Sequence, residues 1–317
     1  MRRMSRSGIG TTAGFGLGAF SRDELDTIHY ATLQIFQDTG IKVMNEEALE
    51  IFHGGGCDVE RFKGYGIVKI PSYVVEECAF WAPHSIVYDA CDPDKDYVAE
   101  PNRVGFTTFG GCINVVDPHT REIRRATKKD CGEIARVCDY LDEICVVTRS
   151  VNSTDVPAGA LSVHNLDALL RNTGKHIFLG VDSPRSLEVM IELASAATGG
   201  RDNFRKRPNF TPSICPLSPL ILPDNSCNVI INSARSGLGI LMLPMALSGG
   251  TSSTTLAGTL VTHNTEVLSG IILAQLTKKG VPCTYGSTST ILDLRFGTTA
   301  IGSPEYGMIN ASIAKLA

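Results

Sequence analysis

From Val104 onward the chain alternates short apolar runs with longer amphipathic ones, six times over. The spacing predicts strands at 104–108, 144–150, 176–181, 209–215, 239–246 and 282–286. It predicts helices at 128–141, 162–172, 184–198, 224–236, 254–278 and 303–317. Such a rhythm admits few folds, because each right-handed crossover lays the next strand parallel to the last. Most of these strands are apolar at consecutive rather than alternate positions, the mark of strands covered on both faces. The expected class is α/β, either a doubly wound sheet or a TIM-type (β/α)8 barrel. No GxGxxG follows the first strand, which argues against a dinucleotide-binding sheet. Polar or glycine-rich segments follow the strand ends at Phe109-Gly110-Gly111, Ser150 to Ser153, Pro216 to Pro219, Ser248 to Gly250 and Gly286 to Ser289. Barrel enzymes build their sites from loops in that position. Six units do not close an eight-stranded barrel, and the last helix opens with a cap at Ser303 but reaches Ala317 without a stop signal. A barrel incomplete at its C-terminus is therefore expected.

The first hundred residues follow another pattern. Residues 1–20 read as a flexible arm, and Ser21 to Glu24 as a capping box for a helix ending near Gly40. Asn45 begins a second helix and Pro71 opens a third, with short strands at 41–43 and 67–70. The expected organisation is a helical extension over 1–100 and six βα units over 101–317.

Composition removes some function classes. With 33 acidic and 29 basic residues the formal charge is -4, whereas nucleic-acid binders carry a basic excess or stripe. The cluster Arg121, Arg124, Arg125, Lys128 and Lys129 reads as a solvated loop and helix start. The ten cysteines are scattered without a CxxC pair, as buried hydrophobes of a reducing compartment are. Cys131, Cys138 and Cys145 recur every seven residues but lack the paired spacing of a zinc site, so no metal is expected. Neither a signal segment nor a membrane span is visible, and a cytoplasmic location is expected.

The stretch from Ser248 to Ser269 carries the most chemistry. On a helix, Thr255, Thr259, Thr262, Glu266 and Ser269 form one polar stripe, while Leu256, Leu260, Val261, Val267, Leu268, Ile271 and Ile272 make the other faces apolar. A carboxylate in such a helix is desolvated unless paired, so Glu266 is a candidate acid, base or cation-binding group, or else a tie between loops. His263 is either a catalytic group or a hydrogen-bonded core histidine. Glu305 either joins the chemistry or only complements the helix dipole. Tyr285 and Phe109 follow strand ends and would either offer a π face to an alkylammonium or pack beneath a loop. Asn264, Thr262 and Ser287 complete the expected substrate-binding set.

These residues also carry a resemblance. The run Leu256 to Ile271 with Leu273 to Leu276, Tyr285-Gly286-Ser287, Gly302 to Glu305 and Ile313 to Ala317 resembles the trimethylamine methyltransferase family, as do Leu25 to Gly40 and Asp167 to Lys175. The resemblance implies a TIM-type barrel passing a methyl group from trimethylamine to the Co(I) of a separate corrinoid protein, in methylamine-dependent methanogenesis or related methylotrophy. No cofactor is bound tightly, the corrinoid being supplied by that partner. In members using trimethylamine, a pyrrolysine follows the Ala-Lys-Leu-Ala segment. The catalytic pyrrolysine is then expected directly after Ala317, at an amber codon, and the sequence beyond that codon tests this. Its imine carbon would add the amine nitrogen, making it quaternary and its C–N bond easier to break, with positioning and charge stabilisation doing the rest. Glu266 would steady the cationic adduct or protonate the imine. Relatives without pyrrolysine act on quaternary amines such as glycine betaine, and that alternative stays open. So does an inactive fragment or corrinoid-protein binding module, or an unrelated metal-dependent barrel enzyme. Self-association into a homo-oligomer is expected.

Overall fold

A computed structural model describes residues 9–10, 18–101 and 103–317. The expected arm over 1–20 lies for the most part outside them. Contacts divide the chain into two units. One is built from His84–Ser213 with Ser236–Leu238, the other from Ile214–Arg235, Gly239–Ala317 and the described part of Ala13–Pro83.

The first unit is organised by parallel strands in chain order, Phe106–Thr107, Ile144–Thr148, His176–Gly180 and Phe210–Ile214. Helices Lys128–Tyr140, Leu161–Leu170 and Pro184–Ala197 connect them. Val146, Val147, Ile177 and Leu179 are buried at consecutive or near-consecutive positions, as two-sided burial requires. The first expected strand, 104–108, is interrupted: 103–104 pairs antiparallel with 9–10, and only 106–107 joins the parallel set. The third helix stops at Ala197, where Gly199 and Gly200 take φ of 81° and 126°, and a separate helix Arg201–Lys206 follows. The hairpin of Asn114–Val116 and Ile123–Arg125 was not expected, because its side chains are mostly exposed and leave no apolar period.

Three side-chain devices fix this unit. Thr127 and Asp130 form a capping box at the 128–140 helix, and Arg124 grips the Asp130 carboxylate at 2.7 and 2.8 Å. The guanidinium and the cap hold that carboxyl far below the usual range. At the other end of the helix the buried Lys175 ammonium donates to the Cys138 and Leu141 carbonyls at 2.8 and 2.6 Å, satisfying acceptors a helix end leaves open. Beyond the first strand, a Cβ on Gly110 would collide with the Arg149 carbonyl oxygen. Glycine alone lets these two backbones approach there.

The second unit is arranged about the helix Leu256–Thr277, which contacts helices Arg22–Gln34, Glu46–Gly54, Ser72–Trp81 and Pro304–Leu316. The caps read from sequence are present: Ser21 and Glu24 make a full capping box, Asn45 accepts from Ala48 N–H, and Ser303 caps its helix. Thr255, expected inside the helix on its polar stripe, is instead its N-cap. Such caps stabilise by about 1 kcal/mol each. Leu25, Ile28, Leu260, Ile309 and Ile313 form a buried cluster, with Tyr285 packed against it. A small sheet runs 221–222, 41–43, 65–69, 58–62. Its outer strand, Asp58–Phe62, was not expected, and four of its five residues are exposed. Ile240–Met242 and Cys283–Tyr285 pair in parallel. Both are shorter than the expected 239–246 and 282–286, because Pro244 and Pro282 have no N–H to give a ladder.

The ten cysteines form no disulfide. Among the described residues no helix is long and apolar enough to cross a membrane.

Candidate functional site

The polar interior of the 256–277 helix is the most unusual environment in the second unit. From His263 to Gln275 every residue is buried, charged and polar ones included. Glu266 is 1% exposed. Its Oε2 accepts from Ser218 Oγ at 2.7 Å and its Oε1 from the Leu220 N–H at 3.0 Å. Burial raises its pKa above the ordinary value, and the Leu220 and Ser218 donors pull it back down in part. No ion pair to a cation is made by this carboxylate among the described contacts, so neutral donors carry the compensation. A hydrogen bond to a charged group is worth about 1.5–3 kcal/mol.

His263 lies one helical turn earlier and is fully buried. Its Nδ1 meets Ser289 Oγ at 3.0 Å, and among the described residues its Nε2 has no partner. Ser289 Oγ also accepts the Ala246 N–H at 3.1 Å. The hydroxyl keeps both its proton and a second lone pair for Nδ1, so Nδ1 can accept from it or donate to it, and in either tautomer Nε2 is a buried polar atom without a partner among the described residues. Burial lowers the His263 pKa to about 3. The ring is neutral at physiological pH.

A second chain of bonds runs beside it. Tyr285 donates to Asn264 Oδ1 at 2.8 Å, Asn264 Nδ2 donates to Thr32 Oγ1 at 3.0 Å, and Thr32 donates to the Ile28 carbonyl at 3.0 Å. The Tyr285 and His263 rings lie 5.6 Å apart at 51°. Burial raises the Tyr285 pKa, so the phenol stays protonated and acts as a donor.

The structure therefore places Glu266, His263 and Asn264 on one buried helix; Tyr285 joins Asn264 by a hydrogen bond and His263 by a ring contact, while Glu266 makes its own bonds to Ser218 and Leu220. Thr262 spends its hydroxyl on the Gly258 carbonyl, and Ser287 receives the Ser289 N–H at 3.1 Å. Glu305 is partly exposed on the first turn of the 304–316 helix. Phe109 belongs to the other unit, where it is 60% exposed beyond the first parallel strand. The expected polar stripe is largely self-consumed: Thr255 caps Gly258, Thr259 donates to the Ser253 carbonyl and Ser269 to that of Glu266. Sequence reasoning missed Ser218, Leu220, Ser289 and Thr32. The segment Pro216 to Pro219 was legible as a strand-exit loop, but nothing in it pointed to Glu266. Among the described residues, no three His, Cys, Asp or Glu side chains converge in a way that could hold a metal ion.

A family model described as trimethylamine methyltransferase matches residues 14–317. The trimethylamine methyltransferase MttB of Desulfitobacterium hafniense is 45% identical over 317 residues, covering 100% of this chain and 64% of that relative. The trimethylamine methyltransferase MttB of Methanosarcina barkeri is 40% identical, covering 98% and 63%. The glycine betaine methyltransferase of Desulfitobacterium hafniense is 28% identical, covering 94% and 61%. The chain thus spans just under two thirds of the length of these relatives. Among solved structures, the monomethylamine methyltransferase of Methanosarcina barkeri aligns with a TM-score of 0.49 at 11% identity, over 92% of this chain and 65% of that one.

Proposed function

The chain belongs to the trimethylamine methyltransferase family, and from that membership we propose that the whole protein moves a methyl group from trimethylamine to the Co(I) of a partner corrinoid protein. The observation that carries this reading is the pattern of identities: 45% and 40% to relatives named for trimethylamine against 28% to one named for glycine betaine. The parallel strand–helix units described above are, in this reading, part of a TIM-type barrel in the whole protein. The partner's corrinoid supplies the methyl acceptor, and the pyrrolysine implied by the family resemblance supplies the electrophile that quaternises the amine.

The residues of this chain would then supply electrostatics and positioning. Glu266 places a negative charge where a methylammonium is favoured over a neutral amine, which is stabilisation of developing charge by a preorganised group. His263, held neutral, presents an uncommitted Nε2 rather than a titrating acid. Asn264 and Thr32 hold the Tyr285 hydroxyl and so set its ring. Ser287 after the Cys283–Tyr285 strand, Thr262 on the 256–277 helix and Glu305 at the first turn of the 304–316 helix complete the set proposed for the second unit, and Phe109, beyond a strand end of the first unit, is a proposed substrate contact in its own right.

The test uses the full-length gene product with a corrinoid protein reduced to Co(I), followed by its absorption spectrum. Methylation of cobalt with trimethylamine and not with glycine betaine is expected. Methylation with glycine betaine alone would replace this reading with the quaternary-amine one, and no methylation with either would overturn both.

A further inference from the structure

The turn Leu217–Ile221 leaves the Phe210–Ile214 strand end and closes on itself through reciprocal backbone bonds, Leu217 N–H to Ile221 O at 2.9 Å and Ile221 N–H to Leu217 O at 3.0 Å. Between them Leu220 sits at φ 58°, in the left-handed region that a side chain with a Cβ disfavours. Such a conformation persists only where its surroundings over-determine it. Two contacts do so. The Leu220 carbonyl accepts the Lys42 N–H at 2.9 Å, and the Leu220 N–H donates to Glu266 Oε1. Ser218, two residues earlier, donates to the other oxygen of the same carboxylate. One buried carboxylate thus spends both oxygens on one five-residue turn.

We infer that Glu266 is a positioning residue, whose carboxylate holds the 217–221 turn in its left-handed form and so fixes the loop at the exit of the Phe210–Ile214 strand. Alternative acceptors do not explain the geometry. A neutral side chain at 266 could take one donor but not both with equal strength, because charge-assisted bonds are about twice as strong as neutral ones. Leu217, which is 57% exposed, and the exposed Pro219 are apolar side chains this turn presents to its surroundings. That the turn serves methyl transfer rests on the function proposed above, since strand-exit loops are where such sites are assembled. Its dependence on Glu266 does not rest on that reading.

Hydrogen exchange followed by mass spectrometry on peptides covering 214–223 and 256–277 tests the link in this chain. Glu266→Ala should speed exchange at Leu220 and Ile221 about tenfold, the loss expected for one charge-assisted hydrogen bond, while amides of the 256–277 helix hold their rates. Glu266→Gln, which keeps one neutral acceptor oxygen, should fall between wild type and Glu266→Ala. Leu220→Gly in the Glu266→Ala background should bring Ile221 back to within about threefold of wild type, because glycine takes positive φ unaided. Unchanged exchange in Glu266→Ala, equal acceleration in both peptides, or no rescue by Leu220→Gly each overturns the inference. Should Glu266→Ala not fold, Ser218→Ala reads the same bond set from the loop side: acceleration at Leu220 is expected, and its absence overturns the proposal. A separate arm measures trimethylamine turnover in the whole protein, where the double variant should exceed Glu266→Ala by the share owed to the turn and stay below wild type by the share owed to the missing charge. Failure there with the exchange result intact removes the catalytic use and leaves the carboxylate–turn link standing.

Discussion

The two units bury carboxylates by opposite means. In the first, Asp96 and Asp89 share Arg207, which lies 2.6 Å from one and 3.3 Å from the other. In the second, Glu266 meets only a hydroxyl and a backbone N–H. The histidines repeat the contrast. His176 has both ring nitrogens engaged, Nδ1 at 2.7 Å from the Asp89 carbonyl and Nε2 at 2.9 Å from Thr211 Oγ1, whereas His263 leaves Nε2 idle. A closed polar network stabilises and specifies a fold. An open one holds donors and charge in reserve, as a functional site does. The difference sets the first cluster, closed by an ion pair, apart from the second, which the function proposed above would use for chemistry.

The contrast can be broken most sharply at Arg207. Arg207→Ala strands two carboxylates at once and should cost about 3 kcal/mol by urea denaturation, the low end for a broken buried pair because the guanidinium keeps some solvent. A loss under about 1 kcal/mol would mean the first network is not a paired-charge device. Ser289→Ala should cost about 2 kcal/mol, since it deprives both the Ala246 N–H and His263 Nδ1 of a partner.

Acid sensitivity comes next. A histidine whose folded pKa is depressed contributes stability above its unfolded value, near 6.5, and loses it as pH falls toward the folded value. That value is about 4 for His176 and about 3 for His263, burial being the main cause in both. Each proton adds a slope of about 1.4 kcal/mol per pH unit below 6.5. Asp89 works the other way: burial lifts it to about 6, so its share is present below its unfolded pKa and lost as pH rises through 6. The measurement is therefore a difference, wild type against His263→Phe, and the variant should lack one histidine's slope between pH 5 and 6.5. Equal slopes would show that His263 is not kept neutral.

The smallest expected effect is at Glu266 itself. Glu266→Gln should change stability at pH 7 by no more than about 1 kcal/mol, because removing the desolvated charge offsets the weakened bonds. A large loss would make Glu266 part of the architecture, like Asp96, and erase the contrast between the units.

Much of this was legible from local chemistry. Ser21 with Glu24, Asn45 and Ser303 announced helix starts because capping acts within three residues. The consecutive burial along 144–148 and 176–180 announced parallel strands. The exposed strand 58–62 and the 114–125 hairpin gave no period to read, being stabilised by their neighbours rather than by an apolar face. At the site, the desolvation of Glu266 followed from the apolar faces of its helix. Its partners did not, because Ser218 and Leu220 stand 48 and 46 residues away in a loop with no repeat to tie it to the helix. The hydroxyl stripe misled for the opposite reason: threonines and serines on a helix readily bond their own backbone.

The close approach at Gly110 reaches beyond architecture into what variation the gene can accept. A methyl group there would have to push the Arg149 carbonyl aside, parting the ends of two neighbouring strands. A saturation library at codon 110, sorted for correctly folded product, should return glycine and little else, while Phe109 beside it tolerates a wide range.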